Sequence, residues 1–163
     1  MRITTLKLLQ IILIVHMTVV ASAPAMDKEG VTVAVWDLEN FVPADLAVAD
    51  MGEMLSAKVI ETFKESGKYV VVERERLLLI LEELNIGASD MVSESTRLKI
   101  GRIVGARLMV FGSYTVIINT MQLDLRMVEV ETGHILKATF KTTSSSNPIE
   151  WLKIARDAAE ELL

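Results

Sequence analysis

Cysteine is absent from this chain of 163 residues. Its absence excludes disulfides, cysteine metal sites and thiol nucleophiles, and with them the acylated cysteine that holds a lipoprotein to a membrane. Histidine is scarce. His16 lies in an N-terminal apolar run and His134 stands alone in the remainder, so no second imidazole completes a metal set or a proton relay. Proline is confined to Pro24, Pro43 and Pro148, each at a boundary described below. Positive charge is also in short supply: 17 Lys and Arg stand against 22 Asp and Glu, a net charge of −5. Removing Arg2 and Lys7 with a leader leaves 15 against 22, or −7. No nucleic-acid partner is then expected, because a groove that neutralises phosphates needs clustered Lys and Arg. The excess acid serves solubility instead.

What is present begins with a leader. Arg2 and Lys7 precede an apolar run from Leu8 to Val20, interrupted only by His16 and Thr18, which is the layout of a secretory signal peptide. The run is shorter than the roughly 20 residues a helix needs to cross a hydrocarbon core, so a retained anchor is the weaker reading and no transmembrane span is expected after removal. Two cleavage patterns occur, Ala21-Ser22-Ala23 and Ala23-Pro24-Ala25. The first leaves Pro24 beside the cut, where a fixed φ and a missing N–H fit a protease's extended groove poorly. Residues 1–25 are therefore read as signal peptide and 26–163 as one domain of 138 residues.

Within that domain, Val31 to Trp36 is continuously apolar and β-branched, which suits a central strand covered on both faces. Asp37 to Asp45 reads as a loop by its Asn40 and Pro43. Asp45 then caps a helix to Ser66 whose Val48, Met51, Leu55, Val59 and Phe63 form one stripe, ended by Gly67. Lys68 to Glu73 is a second buried strand and Arg74 to Leu84 a leucine-rich helix. Gly87 and Asp90 break the chain before Ser93, which caps a short helix to Val104. Leu108 to Ile118 is β-patterned and Asn119-Thr120 turns the chain. Met121 to Val130 alternates as a half-buried strand, and Thr132-Gly133 turns into Ile135 to Thr143. Ser144 to Ser146 reads as a flexible linker, and Pro148 opens a last helix with Leu152, Ala155, Ala159 and Leu162 on one side. The order β-α-β-α-α-β-β-β-α, with a crossover helix and then a meander, predicts an α/β (α+β) domain with a single mixed sheet.

Several phrases fall in a specific order on these elements: Val33 to Asn40 (VAVWDLEN), Ser66 to Arg74 (SGKYVVVER), Leu81 to Leu84 (LEEL), Ile100 to Ala106 (IGRIVGA), Val110 to Tyr114 (VFGSY) and Arg126 to Gly133 (RMVEVETG). Together they resemble the CsgG-type family, the curli production assembly and transport component, over nearly the whole domain. The resemblance implies a periplasmic domain of anticodon-binding-like fold, associated with the outer membrane, which in the curli channel assembles into a ring beneath a β-barrel. Similar domains occur in outer-membrane activators of peptidoglycan synthases, and neither relative is implied to be an enzyme. Two departures point to a domain-only member without its own pore. There is no cysteine to acylate, and Val110 to Thr143 is taken up by a compact meander where barrel strands need about 9–11 residues on each hairpin leg.

The candidate interaction residues are Phe41 and Val42, which are apolar in a loop after a strand, and Asp124 and Arg126, which share one strand face. For each pair a bland reading stands beside the functional one: Phe41 and Val42 pack under the long helix, and Asp124 and Arg126 simply face water. Glu73, Arg74, Gly101, Gly105, Gly112 and Gly133 belong to the resembling phrases and are read as structural. Glu73 favours the following helix start, and Arg74 pairs nearby. Gly101 and Gly105 lack phosphate-loop spacing and permit close packing and a turn. A hydrolase built on Glu73 and Glu75 is disfavoured, because such work needs two carboxylates converging on one substrate atom with separated pKa values, and Glu73 ends a strand while Glu75 lies in the helix that follows. No cofactor, metal or small-molecule ligand is expected. Expected partners are envelope proteins, including further copies of the chain. The function expected is non-catalytic assistance in assembly or secretion of a surface structure, with regulation of a peptidoglycan synthase as the alternative.

Overall fold

The computed structural model describes residues 30–41, 50–86 and 93–163. The proposed signal peptide, Val42, the Asp45 cap and the Gly87 and Asp90 break lie outside them. The elements run β1 (Val31–Val35), β2 (Glu39–Asn40), α1 (Met51–Ser66), β3 (Tyr69–Val71), α2 (Arg74–Glu83), α3 (Glu94–Ile103), β4 (Leu108–Ile117), β5 (Thr120–Glu129), β6 (Ile135–Thr143) and α4 (Pro148–Leu162). The strands form one mixed six-stranded sheet in the order β3-β1-β4-β5-β6, with β2 added beside β4. β1 is parallel to both β3 and β4, while β4, β5 and β6 form an antiparallel meander. The expected fold class is therefore the one observed.

Period-two alternation sends side chains to opposite faces, and each face has its own core. Val33 and Val35 of β1, Val110 of β4 and Met121, Leu123, Leu125 and Met127 of β5 pack against Leu55, Val59 and Phe63 of α1 and Trp151, Ala155 and Leu162 of α4. On the other face Ala34, Met109, Phe111 and Val128 meet Leu77 and Leu81 of α2 and Ile100 of α3. This second layer is shorter. Beyond Phe111 the sheet emerges from under α2 and α3, leaving Gln122, Asp124, Ala138, Phe140 and Thr142 exposed on a common side.

Three local departures from the expected pattern have physical reasons. The segment read wholly as a loop after β1 contains β2, whose Glu39 and Asn40 pair with Ser113 and Tyr114 of β4. So short a pairing leaves no periodic signal. The β4–β5 turn is Ile118-Asn119, one residue earlier than expected, with Ile117 opposite Thr120. Ile118 adopts φ 58°, a left-handed conformation that a β-branched residue rarely takes. Finally, the segment read as a flexible linker is tied to the helix that follows it. The Ser145 carbonyl accepts the Trp151 indole N–H at 2.6 Å, and the Asn147 side chain caps α4 by accepting from Ile149 N–H.

Candidate functional site

The site is built where the sheet leaves the cover of α2 and α3. After β1 the chain steps sideways at Leu38, whose N–H donates to Ser56 Oγ at 2.8 Å. Ser56 is fully buried on α1 and itself donates to the Gly52 carbonyl. A Cβ on Gly52 would lie 2.5 Å from the Leu38 carbonyl oxygen, so only glycine allows α1 to approach the step this closely. The step aligns β2 along β4, and Phe41 N–H donates to the Tyr114 carbonyl. The Phe41 side chain is left 66% exposed at the edge of a recess.

That recess, of about 180 Å³, is lined by Glu39, Phe41, Arg97, Phe111, Gly112, Ser113, Asp124 and Arg126. Its floor is Phe111, buried from below. Arg97, only 8% exposed, reaches in from α3, with its guanidinium carbon 5.7 Å from the Trp36 ring centre and 5.8 Å from that of Phe111. Its charge is met by Glu39. Arg126 approaches Phe111 at 6.0 Å and donates to Glu94 at 2.9 Å, while Ser113 Oγ donates to Asp124. An arginine over an aromatic face and beside a carboxylate keeps its guanidinium in a fixed orientation at little rotameric cost. The product is a preorganised surface of paired charges and aromatic carbon.

Of the candidate residues read from sequence, the structure brings Phe41, Asp124 and Arg126 to this one recess; Val42 lies outside the described residues. Arg97, Glu39 and Phe111 belong to the recess, and Glu94 pairs with its Arg126, without a sequence signal that singles them out. Their connection is tertiary, and Arg97 sits in an ordinary amphipathic helix whose sequence carries no sign of its destination. Glu73 and Arg74 lie elsewhere. Glu73 accepts from Lys64 Nζ at 2.9 Å, and Arg74 makes a two-pronged contact with Asp37 at 3.0 and 2.7 Å. That hydrogen bonding holds the Arg74 guanidinium pKa above its ordinary value, against the opposing effect of burial. Gly101 lies where a Cβ would overlap Met109 Sδ, and Gly112 where one would come 2.5 Å from Leu125 Cδ2. Gly105 and Gly133 take left-handed φ values of 74° and 73° at turns. No group of His, Asp or Glu among the described residues is disposed to hold a metal ion. No helix among them is long and apolar enough to cross a membrane.

The class the fold defines is an α/β domain with two packed faces and an open recess where the sheet leaves its helix cover. Its family follows from sequence: the model of the family "Curli production assembly/transport component CsgG" matches residues 17–117, and the chain belongs to that family. The same fold is found in the LpoB C-terminal domain from Escherichia coli, at 21% identity and TM-score 0.56 over 70% of this chain and 82% of that one. It is found in a dodecamer of PelC from Paraburkholderia phytofirmans, at 16% identity and TM-score 0.54 over 79% and 85%. A lipoprotein from Neisseria meningitidis shares it at 16% identity and TM-score 0.58 over 82% and 99%. No curated protein matches the chain in sequence.

Proposed function

We propose that the chain is a non-catalytic protein of the bacterial envelope, exported by residues 1–25 to the periplasm, that assists assembly or secretion of a surface structure by docking a partner protein on the open end of its sheet. The observation that carries this reading is the recess itself. Arg97 and Arg126 are stacked on Phe111 and neutralised by Glu39 and Glu94, which favours a polar and aromatic contact over a charged small ligand. Membership of the curli assembly and transport family supports an envelope role. A second reading, regulation of a peptidoglycan synthase, is favoured by the likeness to the LpoB domain together with the resemblance to synthase activators noted above.

Crosslinking in cells followed by purification tests the first reading. Phe41→Ala and Arg126→Ala, singly, are expected to cut recovery of the partner about tenfold, the effect of losing a central contact worth more than about 1 kcal/mol. Recovery of the chain from the cytoplasm, or of undiminished partner with both variants, contradicts it. A synthase assay with and without the protein separates the two readings.

A further inference from the structure

The two edges of the sheet differ. At one end β3 is only three residues long, too short to accept much pairing. At the other, β6 runs nine residues, and among the described residues nothing pairs with its outer side. Natural edge strands of this length are usually guarded by outward lysines, prolines or bulges. Here the lysines are engaged elsewhere. Lys137 Nζ donates to the Leu162 carbonyl at 2.9 Å, and Lys141 pairs with Glu161 of α4. No proline falls within the strand. The single irregularity lies near the start of β6, where Val128 faces Ile135 but Met127 faces Lys137. From Lys137 to Thr143 the edge is regular. Its midpoint is Phe140, which is 61% exposed on the open face.

We infer that this edge joins a second copy of the chain, β6 against β6, antiparallel about Phe140, giving a two-fold dimer with one continuous sheet. The charge pattern narrows the register and Phe140 selects within what remains, since pairing about Ala138 or Thr142 opposes no lysines but brings no two rings together. Pairing about Thr139 would set Lys137 directly opposite Lys141 twice, and pairing about Lys137 or Lys141 would set a lysine opposite itself; like charges so placed are destabilising. Pairing about Phe140 sets Lys137 opposite Thr143, Lys141 opposite Thr139 and Ala138 opposite Thr142. It also brings the two Phe140 rings together, a favourable cross-strand aromatic pair. Residues facing each other in an antiparallel pair share a side of the sheet, so the lysines stay on the side of α4 in both copies and the rings stay on the open face. The contact uses the same patch on both partners, as a closed two-fold interface requires. The contact is made by β6, which contributes no residue to the lining of the recess around Phe111, and it does not depend on the partner proposed above.

The absence of cysteine makes the register directly measurable in the full chain. Opposed residues in an antiparallel pair have Cα atoms about 4.5–5.5 Å apart, within the range that a disulfide spans. Under mild oxidation Phe140→Cys is expected to form a covalent dimer on a non-reducing gel. Ala138→Cys and Thr142→Cys are each expected to remain uncrosslinked alone, yet to crosslink when mixed. All three positions are exposed, so folding should be retained. As a non-covalent check, Phe140→Asp is expected to abolish dimer capture by a lysine-independent crosslinker in a chain otherwise unchanged. No dimer from Phe140→Cys, or equal dimer from all three single-cysteine variants, overturns the inference.

Discussion

Gly101 and Gly105 lie one helical turn apart and are small for different reasons. At Gly101 the constraint is space: α3 lies so close to the sheet that a methyl group would overlap the buried Met109 sulfur and press on Val130. At Gly105 nothing lies within reach of an added Cβ, and the constraint is the left-handed φ of 74° that ends the turn after α3. Gly101→Ala is expected to cost about 1–3 kcal/mol through overpacking, and Gly105→Ala about 1 kcal/mol through backbone strain. Asparagine tolerates the left-handed region, so Gly105→Asn should recover part of the second loss while Gly101→Asn deepens the first. Urea denaturation of the four variants checks both. The same residue-scale logic places Arg97. A nearly buried guanidinium is tolerated because Glu39 neutralises it and two ring faces receive it.

At the scale of elements, α4 is tied to the edge of the sheet by charge as well as by packing. Glu161 accepts from Thr139 and Lys141 of β6, and the Lys141 hydrogen bond, followed by that of Thr139, holds its carboxyl below the ordinary value. A carboxylate with a lowered folded pKa adds stability that is present above its unfolded pKa and lost as pH falls through the folded one. Acidification below the usual glutamate range should therefore loosen α4 from β6. In Glu161→Gln that part of the pH dependence should disappear, while stability near neutrality falls slightly. Tryptophan fluorescence of Trp151 during acid titration reads the difference. The elements themselves were largely legible. The β-branched run of β1, the alternation of β5 and the Ser93 and Pro148 helix starts are local signals, and local signals survive folding. β2 was not legible, because its pairing with β4 depends on a step held by Ser56 and Gly52 from a distant helix. The β4–β5 turn falls one residue from its expected place because Ile118 adopts a backbone conformation that its side chain opposes.

At the scale of the whole molecule, the uneven helix cover is the feature that matters. α1 and α4 close one face of the sheet, whereas α2 and α3 cover only part of the other and expose the recess beside Phe111. The candidate site was half legible on the same grounds. Asp124 and Arg126 could be assigned to one strand face by period alone, and Phe41 by its unexpected place in a connection. Arg97 and Glu94 required knowing where α3 docks. The most direct measurement is site-specific photo-crosslinking in living cells, with the reactive group at Gln122 on the open face and, in a separate strain, at Lys153 on the outer side of α4, both exposed. The account predicts an adduct with another envelope protein from Gln122 and none from Lys153. Adducts from Lys153 alone, or from neither position, would contradict it.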